Sequence, residues 1–249
     1  LSDIMGVTRE FLIVNNNIQI SEGIQRKYNF AIKRRIKKEP VAYITGKKEF
    51  WSEEFLLSKS TLVPRPETEL LIHEIIKYYK NKSINILDIG TGSGCILLSI
   101  LKELTLSRGI GLDFSKKAIN IAKINSKKLN LENRAKFIVA DLIKFKYQKY
   151  DLIVSNPPYI PSNDIKKLSK DITSYEPKSA LDGGYDGLDL IKKVIYKSKY
   201  HLKTNGLLAL EIGFNQYRKV SNILKYYRFR EISKEYDYKQ NVRCIISTK

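Results

Sequence analysis

The stretch INILDIGTGSGC, residues 84–95, decides the fold class. An apolar run meets three glycines at alternate positions, Gly90, Gly92 and Gly94, and a second apolar run, CILLSILKEL, starts at Cys95. That order reads as strand, glycine turn, helix. Glycines permit a tight turn and let a ligand approach the backbone closely. The helix start behind them offers free N–H groups.

Outward from this turn the same pattern repeats. Strands are predicted at INILDI, RGIGLD, AKFIVA, DLIVS, GLLALEI, a weaker run near 228–236, and VRCIIST. Helices are predicted at CILLSILKEL, SKKAINIAKINSKKL, GLDLIKKVIYKSKYHL and NQYRKVSNILKYY. Near-continuously apolar strands alternating with helices imply an α/β fold, a mostly parallel Rossmann-like sheet covered on both faces. In such a sheet a ligand sits at the carboxyl ends of the strands, at the switch point.

Before the glycine turn the pattern differs. Residues 1–38 read as short helices; in SEGIQRKYNFAIKRRIKKE apolar side chains recur at Ile24, Tyr28, Ile32 and Ile36, and Pro40 ends the run. AYITGKKEFWSEEFLLSKSTLVPRP alternates and turns at Thr45–Gly46 and Ser58–Lys59–Ser60, which reads as a linking β-hairpin with Trp51 in its core. Pro66 opens a helix whose first turn carries Glu67 and Glu69, favourable for its dipole. The expected division is a helical segment 1–38, a linker 39–65 and a catalytic domain 66–249. The chain starts LSDIMG without an initiator Met, so it reads as trimmed or as part of a longer polypeptide.

The net charge of +19 comes from 45 Lys and Arg against 26 Asp and Glu. The lysines are spread over nearly every segment, so nucleic acid is not the expected partner; an acidic protein is favoured. No apolar stretch approaches the ~20 residues of a membrane span. Cys95 and Cys244 lie in apolar runs and read as buried free thiols of a cytoplasmic protein. His73 and His201 read as partly exposed helix residues that share no ligand spacing with the cysteines, so no metal site is expected.

Which ligand the turn holds depends on charge. A dinucleotide fingerprint G-x-G-x-x-G fails here, because its third glycine position falls on Cys95. Asp88 precedes the glycines and would repel a pyrophosphate, but it suits a ligand bearing an ammonium and a sulfonium. Asp113 ends the second strand, where a carboxylate can accept from ribose hydroxyls. Asp141 follows the third strand, where an adenine amino group would lie. Each Asp alone also reads as a turn former or helix cap. Together with D-x-G-x-G-x-G they favour S-adenosylmethionine over a dinucleotide.

The fourth strand ends in DLIVSNPPYIPSND, residues 151–164. Pro157 and Pro158 lack N–H groups, and each stiffens the residue before it. One reading is a plain proline turn. The other is a rigid corner that presents the Asn156 amide oxygen, the Pro157 carbonyl and the Tyr159 ring to a planar amino group. Two acceptors can take both hydrogens of that group while positive charge develops on its nitrogen.

NPPY with LDIGTGSG resembles the methyltransferases that act on planar amino groups. PVAYITGKKEFW, TLVPRPETELLI, EPKSALDGGYDGLDL, LALEIG and QNVRCI narrow this to the peptide-chain release factor glutamine methyltransferase family, from about residue 40 to the end. Residues 1–38 match loosely, and the family's first N-terminal helices are missing. The resemblance implies a seven-stranded S-adenosylmethionine-dependent core acting as a monomer. It implies, as substrate, the glutamine of the Gly-Gly-Gln motif in release factors. It places Gly90, Thr91, Gly92, Ser93, Gly94, Asp113, Asp141, Leu142 and Asn156 on the cofactor, and Asn156, Pro157, Pro158 and Tyr159 on the glutamine. Leu142 stands where the family often has an aromatic. PRPETE (64–69) reads chiefly as a braced helix start, with Arg65 or Thr68 as further site residues. A glutamine methyltransferase of a ribosomal protein and a DNA or RNA adenine methyltransferase use the same chemistry. A non-catalytic ribosome-binding protein is the alternative outside enzymes.

Overall fold

The computed structural model describes residues 1–145 and 148–249. Three helices come first, α1 (Ser2–Met5), α2 (Arg9–Val14) and α3 (Glu22–Ile36). Thr8 and Ser21 cap the second and third by accepting from the N–H groups of Phe11 and Ile24.

A fourth helix, α4 (Val41–Thr45), occupies the start of the expected hairpin. Alternation alone suggests a strand there. Donors from the preceding helix decide otherwise: Arg34 donates to the Tyr43 and Ile44 carbonyls at 3.0 and 3.4 Å. These carbonyls close a short helix and would lack partners without it. The hairpin proper pairs β1 (Lys47–Phe50) with β2 (Glu53–Leu56). It reverses at Trp51–Ser52, with φ of 50° and 57°, and not at the two turns read from sequence. Two positive φ values give the reversal that matches strand twist. Trp51 is half-buried and its indole N–H donates to Glu103 at 2.8 Å.

The remaining elements are α5 (Thr68–Tyr79), β3 (Asn85–Ile89), α6 (Cys95–Glu103), β4 (Arg108–Asp113), α7 (Lys116–Lys128), β5 (Ala135–Val139) and β6 (Tyr150–Ser155). After them come α8 (Lys170–Thr173), α9 (Asp189–His201), β7 (Leu202–Glu211), α10 (Tyr217–Tyr226), β8 (Arg230–Tyr236) and β9 (Val242–Thr248). The sheet order is β5-β4-β3-β6-β7-β9-β8. Five strands are parallel; β9 runs antiparallel between β7 and β8.

Successive residues of a strand face opposite layers. Ile86 packs with α5, α6 and α7, and Leu87 packs with α9 and α10. Burial on both faces is why these strands read as continuous apolar runs. After β5 the chain crosses back over β3, so β6 lies on its far side. The carboxyl ends of β3 and β6 therefore meet at the switch point.

His201 departs from its expected exposure. The buried stripe of α9 is Ile191, Val194, Ile195, Ser198 and His201, and the imidazole belongs to it. Burial holds this His below its ordinary pKa. Both cysteines are buried and unpaired. No described helix is long and apolar enough to cross a membrane.

Candidate active site

The glycine turn sits where β3 ends. Gly90, Gly92 and Gly94 have φ of 75°, 56° and 81°, a region costly for other residues. The N–H groups of Gly90 and Thr91 both donate to the Leu112 carbonyl, at 2.8 and 3.0 Å, which fastens the turn to the end of β4. A Cβ on Gly90 would meet nothing within 4 Å. That bare backbone faces a cavity of about 540 Å³. Of the sequence-predicted residues, Gly90, Thr91, Gly92, Ser93, Asp113, Asp141, Leu142, Asn156 and Pro158 wall this cavity. Asp88, Gly94, Pro157 and Tyr159 stand behind its surface.

Asp88 lies beneath the turn with no exposed surface. Its Oδ2 accepts from Thr91 Oγ1 at 2.6 Å, and its Oδ1 has no partner among the described residues. Burial pushes this carboxyl up to about 7; the Thr91 hydrogen bond opposes the shift and the Asp113 charge adds to it. The unfolded carboxyl titrates near 3.8. Between those values the folded chain holds a proton that the unfolded chain has released. Stability from this group therefore falls as pH rises through the window, and the cost of burying charge is complete above about pH 7. In thermal unfolding, Asp88→Asn should gain on the wild type as pH rises from about 5 to about 8. A gap in melting temperature independent of pH would remove the buried charge from the account.

Asp113 does two things at once. Its Oδ2 accepts from the Gly92 N–H at 3.0 Å and its Oδ1 from the Ser115 N–H at 2.9 Å. Burial raises its pKa, and these backbone N–H groups restrain the rise. Each oxygen has room for a further hydrogen bond, and the residue lines the cavity. Phe114 follows it, 65 % exposed, and forms cavity wall. An aromatic face therefore stands near Leu142, which is buried, while Asp141 is exposed and its Oδ1 accepts from the Ile143 N–H. The position of Phe114 directly after a strand-end Asp was the signal for it. Asp113→Ala should weaken cofactor binding by roughly 1.5–3 kcal/mol, the scale for hydrogen bonds to charged groups. Titration calorimetry giving an unchanged affinity would exclude Asp113 from the site.

The NPPY corner closes the other side. Ser155 Oγ donates to the Ile89 carbonyl at 2.7 Å, so the ends of β6 and β3 are joined. Asn156 Nδ2 donates to Thr68 Oγ1 at 3.2 Å. No donor among the described residues reaches Asn156 Oδ1 or the Pro157 carbonyl. Tyr159 turns away from the cavity wall. Its hydroxyl donates to Glu211 Oε1 at 3.3 Å and accepts from Arg243 Nη2 at 2.9 Å, while its carbonyl accepts from Gln216 Nε2 at 2.8 Å.

The loop DGGYDG braces the corner from outside. The Ile160 N–H donates to the Leu181 carbonyl and the Gly183 N–H to the Ile160 carbonyl. Gly187 has φ of 74°, and a Cβ there would lie 2.3 Å from the Tyr159 oxygen. Leu62 and Pro64 line the cavity together with Pro177 and Ala180. Arg65 pairs with buried Glu176 and joins these two segments. The pairing explains PRPETE structurally for Arg65. Thr68, by contrast, touches Asn156.

The site thus offers a bare glycine cradle, a buried carboxylate beneath it and a half-buried one on the cavity wall, an aromatic wall and a corner with two free acceptors. That donor set fits a cationic nucleoside ligand beside a planar amino group.

A methyltransferase-domain family model matches residues 80–209, and a PrmC N-terminal domain model matches residues 1–46. A release factor glutamine methyltransferase of Clostridium acetobutylicum is 40% identical over 253 residues, covering 100% of this chain and 89% of that protein. One from Buchnera aphidicola subsp. Acyrthosiphon pisum is 41% identical over 249 residues, with 100% and 89% covered. Among solved structures, a ribosomal protein L11 methylase from Lactobacillus delbrueckii subsp. bulgaricus has a TM-score of 0.57 at 19% identity, covering 78% of this chain and 83% of that one. The hMettl16 catalytic domain has a TM-score of 0.61 at 16% identity, covering 78% and 74%. These two show the fold alone, that of the class I S-adenosylmethionine-dependent methyltransferases. The relatives align with the whole chain, from the N-terminal helices through the glycine turn and NPPY to β9, and on that ground the chain belongs to the release factor glutamine methyltransferase family.

Proposed function

We propose that this protein transfers a methyl group from S-adenosyl-L-methionine to the side-chain amide nitrogen of the glutamine in the Gly-Gly-Gln motif of peptide-chain release factors. The observation that carries the reading is the free acceptor Asn156 Oδ1, on the wall of the cavity that the glycine turn also lines, with the unpaired Pro157 carbonyl next to it in the chain.

The bound cofactor supplies an electrophilic methyl on a good leaving group. Everything else falls to the chain. Gly90 to Gly94 would admit the cofactor close to backbone, Asp113 would accept from its ribose, and Phe114, Leu142 and Asp141 would hold its base. Asp88, once ionised, would place negative charge beneath its cationic end, and a nearby cation favours that ionisation.

An amide nitrogen is a poor nucleophile because its lone pair is delocalised into the carbonyl. Asn156 Oδ1 and the Pro157 carbonyl accept its two hydrogens. They would fix the orientation of the nitrogen, and positioning supplies much of the rate of such a transfer. They also stabilise positive charge as it grows on nitrogen, and as preorganised groups they need no rearrangement to do so. Neither acceptor is a strong base, so the surplus proton, held at one of them, passes on to water. Tyr159 acts from behind, keeping the corner in place. The helical segment before the hairpin takes part in recognising the protein substrate, with Phe30 and Ile36 of α3 exposed at 65 % and 71 %.

The test is transfer of a labelled methyl group, with purified release factor, ribosomal protein and DNA offered side by side. Label is expected in the release factor. Label in DNA or in ribosomal protein would reassign the substrate.

A further inference from the structure

We propose that Thr68 and Glu211 are positioning residues that hold the Asn156 amide with its oxygen, and not its NH2, toward the substrate. The inference rests on the glutamine reading above and concerns how the acceptor is kept an acceptor.

The two ends of an amide side chain are nearly the same size, so packing alone does not decide which one faces the cavity. Hydrogen-bond partners decide. The partner here is a hydroxyl, which can either accept or donate. Thr68 Oγ1 accepts from Asn156 Nδ2 at 3.2 Å because its own proton is committed elsewhere, to Glu211 Oε2 at 2.6 Å. Without that commitment the hydroxyl could donate to Asn156 Oδ1. The NH2 would then meet the NH2 of the incoming amide, donor against donor.

Burial makes the arrangement decisive. Thr68 is 2 % exposed and Glu211 is fully buried, so the bond between them is shielded from water, while Thr68 meets Asn156 at the cavity wall. The other oxygen of the same carboxylate receives the Tyr159 hydroxyl at 3.3 Å and lies 3.6 Å from Arg243 Nη2. The Arg243 guanidinium also lies 5.4 Å from the centre of the Tyr159 ring. One buried carboxylate therefore reaches both ends of the corner, Asn156 through Thr68 and Tyr159 directly. Burial raises the pKa of Glu211, and the Thr68 hydroxyl, Arg243 from β9 and the Tyr159 hydroxyl oppose that rise and favour the ionised form that this role needs. Glu211 is the charged residue at the end of the apolar strand GLLALEI, and Arg243 interrupts VRCIIST in the same way. Structural economy would place apolar side chains at both positions.

The experiment compares Thr68→Val, which keeps the shape and removes the hydroxyl, with Thr68→Ser, which keeps the hydroxyl. Thr68→Val should lower kcat roughly ten- to hundredfold, the equivalent of a hydrogen bond to a charged group. KM for release factor and the calorimetric affinity for S-adenosyl-L-methionine should stay within about threefold, because the lost contact orients a catalytic group and does not bind either ligand. Thr68→Ser should return kcat to within about threefold of wild type. A Thr68→Val kcat within about twofold of wild type, or equal losses in Val and Ser, would overturn the proposal. Loss confined to KM or to cofactor affinity would also overturn it, by making Thr68 a direct binding contact. If Thr68→Val fails to fold, Thr68→Ala serves in its place.

A second readout needs no substrate. Proton exchange of the Asn156 side-chain amide, followed by nitrogen-15 NMR, should show one protected Nδ2 proton in wild type and in Thr68→Ser, and none in Thr68→Val. Equal protection in all three would defeat the proposal. Should the wild type leave release factor unmethylated, the glutamine reading fails, and the amide protons decide the positioning claim by themselves.

Discussion

Asn156→Ala is expected to yield a folded protein that still binds most of its cofactor and transfers methyl about a hundred- to a thousandfold more slowly, the cost of losing one preorganised acceptor. The glycine turn, Asp88 and Asp113 all remain in place, so binding falls modestly. The corner keeps its shape as well, because Ser155, Gln216 and the Leu181–Gly187 backbone hold it independently of the Asn156 side chain. What disappears is the oxygen whose hydrogen bond strengthens as the amide nitrogen gains charge. The loss should therefore appear in turnover. Asn156→Gln should not restore it, since the added methylene carries the acceptor away from the Pro157 carbonyl with which it acts. Single-turnover kinetics at saturating release factor measure this. A chemical step within a few-fold of wild type would reduce Asn156 to a turn former.

Gly187→Ala is expected to act on the same corner through the backbone. The residue has φ of 74°, and the new Cβ would lie 2.3 Å from the Tyr159 oxygen and 2.7 Å from Gln216 Nε2. The left-handed conformation alone costs roughly 1–2 kcal/mol for a residue with a Cβ. Overpacking adds roughly 1–3 kcal/mol. Together these predict about 2–5 kcal/mol of lost stability, a fall in melting temperature of roughly 5–15 °C for a chain of this size. The clash falls on the Gln216–Tyr159 hydrogen bond, so activity below the melting transition should drop too. Thermal unfolding within about 2 °C of wild type would show that the loop yields without moving the corner.

Much of the fold was legible because its governing pattern is local. Apolar runs alternating with amphipathic helices announced the parallel sheet, and INILDIGTGSGC announced where the cavity lies. The misreadings have separate causes. Val41–Thr45 alternates like a strand, but Arg34 supplies the donors that close it into a helix. Trp51–Ser52 contains neither Gly nor Asn, so its two positive φ values leave no mark in the sequence. His201 resembled a surface residue until it was placed fourth in line with Ile191, Val194 and Ser198 on the buried stripe of α9.

The site divides in the same way. Glycines, strand-end carboxylates and NPPY are dense local motifs and were found. Thr68, Glu211, Arg243 and Gln216 act on that corner from α5, β7, β9 and the turn before α10. Nothing adjacent to them in sequence states their partner. A charge inside an apolar strand was the one available sign, at Glu211 and Arg243. Tyr159 shows the converse: the motif drew attention to its ring, and its hydroxyl and carbonyl do the holding.

The central claim, that the corner holds a glutamine side-chain amide for methylation, is tested most directly by fragment mass mapping. Release factor would be incubated with this protein and S-adenosyl-L-methionine, digested, and sequenced by tandem mass spectrometry. The account predicts a single added methyl on the glutamine of the Gly-Gly-Gln motif, at its side-chain nitrogen. A methyl on any other residue, or an unmodified Gly-Gly-Gln peptide beside methylated ribosomal protein or DNA, would contradict it.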